Sequence, residues 1–175
     1  KHKGQDLLIS YISQFIDELS AIARFHFYGD GVDSHKLSSL IKTHNLSHFV
    51  FHHGHGSAND IYKHHCLLLP SLFEGTPLVL IEAYLHNLFA IVNDIPSLRP
   101  IVSSSYRYDT AHSLYEIITS VYNQFRSSKS SHQSNYNQSY IPSQTGLSLT
   151  NQTSETIVKT IEDPASIANM IMLGH

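Results

Sequence analysis

Four short apolar runs, separated by stretches with helical spacing, constrain this chain more than any other feature. They are Phe25-His26-Phe27-Tyr28, Phe49-Val50-Phe51, Cys66–Leu69 and Phe89–Asn93. Each is too short for a helix and nearly continuous in apolar character, as expected of strands covered on both faces of a parallel sheet. Leu8, Tyr11, Ile12, Phe15 and Leu19 recur at helical spacing before the first run. Leu37, Leu40 and Ile41 do so after it, where Asp33 or Ser34 can cap the helix. A short helix near 58–63 precedes the third run, and a longer one from about Pro77 to His86 follows it. Leu114, Ile117, Ile118, Val121 and Phe125 mark the last clear helix. Strand and helix alternating at this spacing require right-handed parallel crossovers. The predicted fold class is therefore α/β, a Rossmann-like doubly wound parallel sheet. Ligands of such sheets bind beyond the carboxyl ends of the strands. The loops starting at Gly29, Gly54 and Pro70 are thus where chemistry is expected.

The pattern stops near Arg126. Residues 127–145 hold seven serines with Asn, Gln, Tyr and few aliphatics. Such a composition buries too little apolar area to offset chain entropy. The predicted organisation is a Rossmann-like domain over 1–126, a mobile linker over 127–153 and a weakly helical extension over 154–175. The helix of that extension is expected near Ser166–Leu173, loosely held.

Charge and cysteine content narrow the function classes. The 175 residues carry 11 Lys+Arg against 14 Asp+Glu, a net charge of −3, so no basic excess points to nucleic acid. The lone Cys66 excludes an internal disulfide and reads as a buried, inert thiol within an apolar run. No run approaches the ~20 residues of a membrane span. The expected location is cytoplasmic, with a peripheral position at a membrane surface as the other option. The 14 histidines cluster at His52, His53 and His55 and again at His64 and His65. They read as polar strand-end and loop residues, and no metal site is expected.

The chemistry concentrates in Pro70-Ser71-Leu72-Phe73-Glu74-Gly75-Thr76-Pro77-Leu78-Val79-Leu80-Ile81-Glu82-Ala83. A buried strand ends at Leu69, and Gly75 allows close backbone approach to a ligand. Pro77 suits a first helical turn, where its missing N–H costs nothing. Free N–H groups and the positive dipole end there make an anion site that fits a diphosphate. Glu74 before the helix and Glu82 inside it suit sugar and ribose hydroxyls, because a carboxylate accepts from two adjacent O–H groups.

This segment resembles the signature of the retaining glycosyltransferases of the GT-B fold called family 4, or glycosyl transferases group 1. The signature is Pro-Ser, then Glu-Gly, a Pro, and a second Glu eight positions after the first, here Glu74 and Glu82. Lys3-Gly4-Gln5-Asp6-Leu7-Leu8-Ile9 resembles the family's Lys-Gly-x-x-x-Leu-Ile, and Phe27-Tyr28-Gly29-Asp30-Gly31 its strand with Gly-x-Gly. Val50-Phe51 with Gly54 resembles the strand and loop beside the base, and Asn93-Asp94-Ile95-Pro96 a later segment. The likeness covers about residues 1–125, the second half of a family member. It implies the donor-binding half of a GT-B enzyme, separated from its N-terminal acceptor domain and inactive alone.

The resemblance also implies roles. Lys3 would neutralise the donor diphosphate, and Glu74 would contact the transferred sugar. Gly75, Thr76, Pro77 and Leu78 would line the phosphate and sugar loop. Glu82 would hold the ribose hydroxyls, and Gly54 would border the base. The partners implied are a nucleotide-diphosphate sugar and an acceptor that is a sugar, a lipid or a protein. No cofactor and no metal are implied. Arg99-Pro100-Ile101-Val102 departs from the family's Glu-Ile-Val. A non-catalytic nucleotide-sugar-binding module is the alternative, beside an epimerase or phosphorylase of the same fold.

Overall fold

A computed structural model describes residues 3–75, 77–130 and 168–173. The chain begins with helix α1 (Gln5–Ile12), a 3-10 turn (Ser13–Phe15) and helix α2 (Ile16–Ile22). Strand β1 (Ala23–Tyr28), helix α3 (Ser34–Thr43), strand β2 (Val50–His52) and the short helix α4 (Ala58–Ile61) follow. Then come β3 (Cys66–Leu69), α5 (Leu78–Leu85), β4 (Phe89–Asn93), the short β5 (Arg107–Tyr108), α6 (Ala111–Ser130) and β6 (Ala168–Leu173). The four apolar runs are strands, as their composition requires. The two-residue β5 carries no pattern long enough to be read in advance.

The six strands form one sheet in the order β2-β1-β6-β3-β4-β5, and every pairing is parallel. Both faces are covered. On one, Phe25, Phe27, Cys66, Leu68, Ile91, Met170 and Met172 pack with Leu8, Ile12, Leu37, Ile41, Leu114 and Ile118 from the helices. On the other, Tyr28, Leu67, Leu69, Ala90 and Val92 pack with Leu80 and Ala83 of α5. Alternate residues of β3 and β4 thus feed two cores, which is why these strands read as apolar throughout. Cys66 is fully buried, and burial pushes its thiol well above its usual range.

Two asparagines end helices in the same way. Asn45 after α3 and Asn87 after α5 both adopt φ 56°. Leu46 N–H donates to the Ile41 carbonyl and Leu88 N–H to that of Ala83, each at 2.9 Å. Asparagine tolerates this left-handed position, and the resulting Schellman caps satisfy the last carbonyls and turn the chain back toward β2 and β4.

The tail differs from expectation. The segment read as a weak helix near Ser166–Leu173 is strand β6, in the middle of the sheet. It pairs with β1 along its whole length, from Ala23↔Ala168 to Tyr28↔Leu173, and with β3 at Cys66↔Met170 and Leu67↔Ile171. A six-residue apolar run has no period that separates a buried strand from a helix. Two waiting strand edges decide the matter here. Helix α6 also continues to Ser130, into the stretch expected to be linker from residue 127. The remainder of the predicted linker and extension lies outside the described residues. Among the described residues no helix is long and apolar enough to cross a membrane.

Candidate active site

The loop leaving β3 is anchored before it reaches its charged residues. All four residues of β3 are buried. Ser71 is buried too; its carbonyl accepts from Asn93 Nδ2 at 3.3 Å, which ties the loop to the end of β4. Among the described residues its own Oγ has no partner. From the other side comes the turn before α1. Gly4 has φ 63° and lies so close to the Pro70 carbonyl that an added Cβ would collide with it. Only glycine combines that dihedral with backbone-to-backbone contact.

This contact brings Lys3 to Glu74, residues 71 positions apart in sequence. Lys3 Nζ lies 3.3 Å from Glu74 Oε1, with the Glu74 side chain 13% exposed and that of Lys3 41%. The carboxylate is thus mostly withdrawn from water while its cationic partner remains reachable from solvent.

Around Gly75 no described atom lies within 4 Å of where a Cβ would be. Packing among the described residues therefore places no demand on this position, in contrast to Gly4. Thr76 lies outside the described residues. Pro77 stands one residue before the helix rather than in its first turn, at φ −78°, and its carbonyl accepts from Leu80 N–H at 2.9 Å. Leu78 opens α5 and is exposed. The first N–H groups of α5 and the positive end of its dipole face the loop, as at any helix start.

Glu82 sits more than one turn into α5, and the structure supplies a partner that sequence reasoning missed. Tyr62 Oη donates to Glu82 Oε2 at 2.8 Å. The Tyr62 ring stacks on His86 with centroids 3.8 Å apart and planes within 5°. Burial, and then the neighbouring Glu82, push the Tyr62 phenol up to about 12. No motif marks Tyr62, and nothing in the sequence pairs it with a residue twenty positions on.

The turns after β1 and β2 are laced together. Gly29 N–H donates to the Gly54 carbonyl at 2.6 Å. Gly54 adopts φ 67°, and an added Cβ would come within 2.6 Å of Asp30 Oδ1. His52 joins the same corner, its Nδ1 paired with Ser38 Oγ at 2.9 Å and its Nε2 with the Gly29 carbonyl at 3.1 Å. His26 and His53 stack nearby, and Tyr28 Oη meets His64 Nε2 at 3.2 Å. Burial is the main cause holding His64 down at about 3, so this ring is neutral. Among the described residues, no group of three or more His, Cys, Asp or Glu side chains is arranged to hold a metal ion. At the end of β4, Asp94 accepts from Arg99 Nε and Nη2 at 3.0 and 3.2 Å, and Arg107 Nη1 lies 3.3 Å away. The guanidinium that replaces the family's usual carboxylate is thus engaged by a local acid.

The turns after β1, β2 and β3 all leave the carboxyl ends of parallel strands, on a sheet covered by helices on both faces. These features define a Rossmann-like domain of the kind found in GT-B enzymes. The sequence profile of glycosyl transferases group 1 matches residues 1–115, and the chain belongs to that family. No curated protein matches the chain in sequence. Three solved structures share the fold. A point mutant of TarM from S. aureus, in complex with fondaparinux, alpha-GlcNAc-glycerol and UDP, aligns with TM-score 0.63 and 22% identity, over 70% of this chain and 26% of that one. A second TarM structure aligns with TM-score 0.63 and 24% identity over the same shares, 70% and 26%. The pneumococcal O-GlcNAc transferase GtfA, in complex with UDP and GlcNAc, aligns with TM-score 0.58 and 22% identity, over 73% of this chain and 27% of that one. The chain spans about a quarter of the length of these structures.

Proposed function

We propose that this chain is the donor-binding half of a retaining glycosyltransferase, which moves a sugar from a nucleoside-diphosphate donor to an acceptor hydroxyl. The observation that carries the reading is the meeting of Lys3 with Glu74 at 3.3 Å beside the start of α5. A cation, a mostly buried carboxylate and a helix N-terminus then share one loop, at the strand ends where an α/β sheet takes its ligands. UDP in the TarM and GtfA complexes makes a nucleoside diphosphate the first ligand to test.

In the reaction, the bond from the anomeric carbon to the diphosphate oxygen breaks and its electron pair stays on the diphosphate. The acceptor oxygen bonds to the carbon and gives up its proton. Charge therefore grows on the leaving diphosphate, and groups aimed there lower the barrier. Lys3, exposed enough to turn from Glu74 toward the phosphates, and the N–H groups at the start of α5 serve this role without a metal. Glu74, released from Lys3, accepts from hydroxyls of the transferred sugar, and Glu82 from those of the ribose. Gly75, Thr76, Pro77 and Leu78 border the phosphates and Gly54 the base. The acceptor half closes the cleft and orients the acceptor, so the isolated chain binds donor without transferring sugar. The alternative of a non-catalytic module rests on Arg99 and on the atypical tail; the pairing of Arg99 with Asp94 gives that residue a structural use in either case.

Calorimetric titration of the chain with UDP, GDP and ADP tests the reading. One nucleotide is expected to bind, with Glu82→Ala weakening it about tenfold, the size of a lost charged hydrogen bond. Absence of binding to all three would overturn the donor-site reading.

A further inference from the structure

Glu82, Tyr62 and His86 form a closed circuit of contacts. The Glu82 backbone carbonyl accepts from His86 N–H at 3.1 Å, one helical turn along α5. The His86 ring lies flat on the Tyr62 ring, 3.8 Å between centroids. The Tyr62 hydroxyl returns to the Glu82 carboxylate at 2.8 Å. Residues four apart on a helix share a face, so the ring of His86 stands beside the side chain it indirectly restrains. Tyr62 itself comes from the short connection between α4 and β3, so the circuit joins two separate elements.

We propose that Tyr62, held against His86, is a positioning residue that sets the Glu82 carboxylate for a pair of vicinal ribose hydroxyls. The proposal deepens the donor-site reading above and rests on it. A surface glutamate is otherwise free about three side-chain torsions, and fixing it on binding costs affinity. Here one contact restrains Oε2 before ligand arrives and so narrows the orientations of the carboxylate. A carboxylate has about four lone-pair sites, so Oε1 and part of Oε2 still face two incoming O–H groups. Burial, and then Glu82 itself, push the phenol up to about 12, so it is protonated near neutral pH and can donate. A second carboxylate-seeking cation at this place would compete with the ligand by charge; a phenol restrains Glu82 and leaves its negative charge intact.

The test uses the 175-residue chain with UDP, GDP and ADP, each beside its dideoxyribose counterpart, which lacks both hydroxyls. Tyr62→Phe keeps the ring stack and removes only the hydroxyl. It is expected to weaken the preferred ribonucleotide about three- to tenfold, the cost of ordering one side chain, and to leave the dideoxy compound unchanged. His86→Ala should show the same selective loss, and His86→Phe should restore binding by restoring the stack. Glu82→Ala is the reference for full loss of ribose discrimination. If Glu82→Ala selectively weakens the ribonucleotide and Tyr62→Phe does not, the positioning role is overturned while the donor site stands. Equal weakening of both ligand types by Tyr62→Phe marks a merely structural residue and also overturns it. If Glu82→Ala still prefers the ribonucleotide over its dideoxy counterpart as strongly as the unaltered chain, or no nucleotide binds, the ribose reading of Glu82 falls and the positioning role with it.

Discussion

Strand β6 and the β3–α5 loop both lie against β3, and different physics holds each. β6 is fixed by parallel ladders to β1 and β3 and by two fully buried methionines, Met170 and Met172. Such contacts are apolar and additive over area. The loop is fixed by three sparse contacts, namely Asn93 on the Ser71 carbonyl, Gly4 against Pro70, and Lys3 on Glu74. These bury little apolar area and act through the position of a few atoms. The family match ends at residue 115, so the strand in the centre of the sheet comes from outside the matched region, while the loop lies within it. The fold of the matched region is thus completed by a segment without its motifs. The comparison separates what makes the domain stable from what aims its charged groups.

The largest effect should come from removing β6. A chain ending at residue 167 loses both methionine anchors and leaves β1 and β3 with bare edges at the middle of the sheet. Each fully buried methionine contributes roughly 1.5–3 kcal/mol, so the loss is about 4 kcal/mol or more once the ladders are counted. That is a large part of the stability of a domain this size. Loss of a cooperative urea transition, or a midpoint far below that of the full chain, is the expected result. An unchanged transition would show that β6 is dispensable. Met170→Asp should reproduce the effect without shortening the chain, because it buries a carboxylate without a partner.

The same contrast explains what could be read from the residues. Cys66–Leu69 and Phe89–Asn93 are strands with the very bounds their composition implies, because a buried strand between turn residues is a local signal. The Glu74 loop was legible for the same reason. β6 was not, because Ala168–Leu173 carries no turn chemistry and its state is set by pairing partners about a hundred or more residues away in sequence. Tyr62 carries no local signal on similar grounds, since its meaning lies in a contact across two elements. Lys3 and Glu74 each lie in a recognisable segment, but their pairing depends on the Gly4–Pro70 approach, which no spacing rule contains.

That approach can be broken at one atom. Gly4→Ala puts a Cβ into the Pro70 carbonyl at a φ of 63°, where side chains are strained. Strain and displacement together should cost about 2–3 kcal/mol. The turn can relieve the clash only by moving away from Pro70, which carries Lys3 away from Glu74. Nucleotide affinity is then expected to fall with stability. Retained affinity despite lower stability would mean that the Lys3–Glu74 meeting is incidental to binding.

Gly75→Ala should have the smallest effect on the fold and sharpens the contrast most. No described atom lies within 4 Å of the new methyl, and no left-handed dihedral is recorded there. Stability should change by less than about 0.5 kcal/mol, and any gain would come from a less flexible unfolded chain. If the loop binds a diphosphate through its backbone, however, the methyl occupies the path of the phosphates and nucleotide affinity drops. Gly4 is required by protein packing, whereas no described atom constrains Gly75. Thermal melts and nucleotide titrations of the two variants together distinguish these demands. A Gly75→Ala chain that keeps both its melting point and its affinity would remove the close-approach argument from this loop and leave Lys3, Glu74 and Glu82 to carry the site.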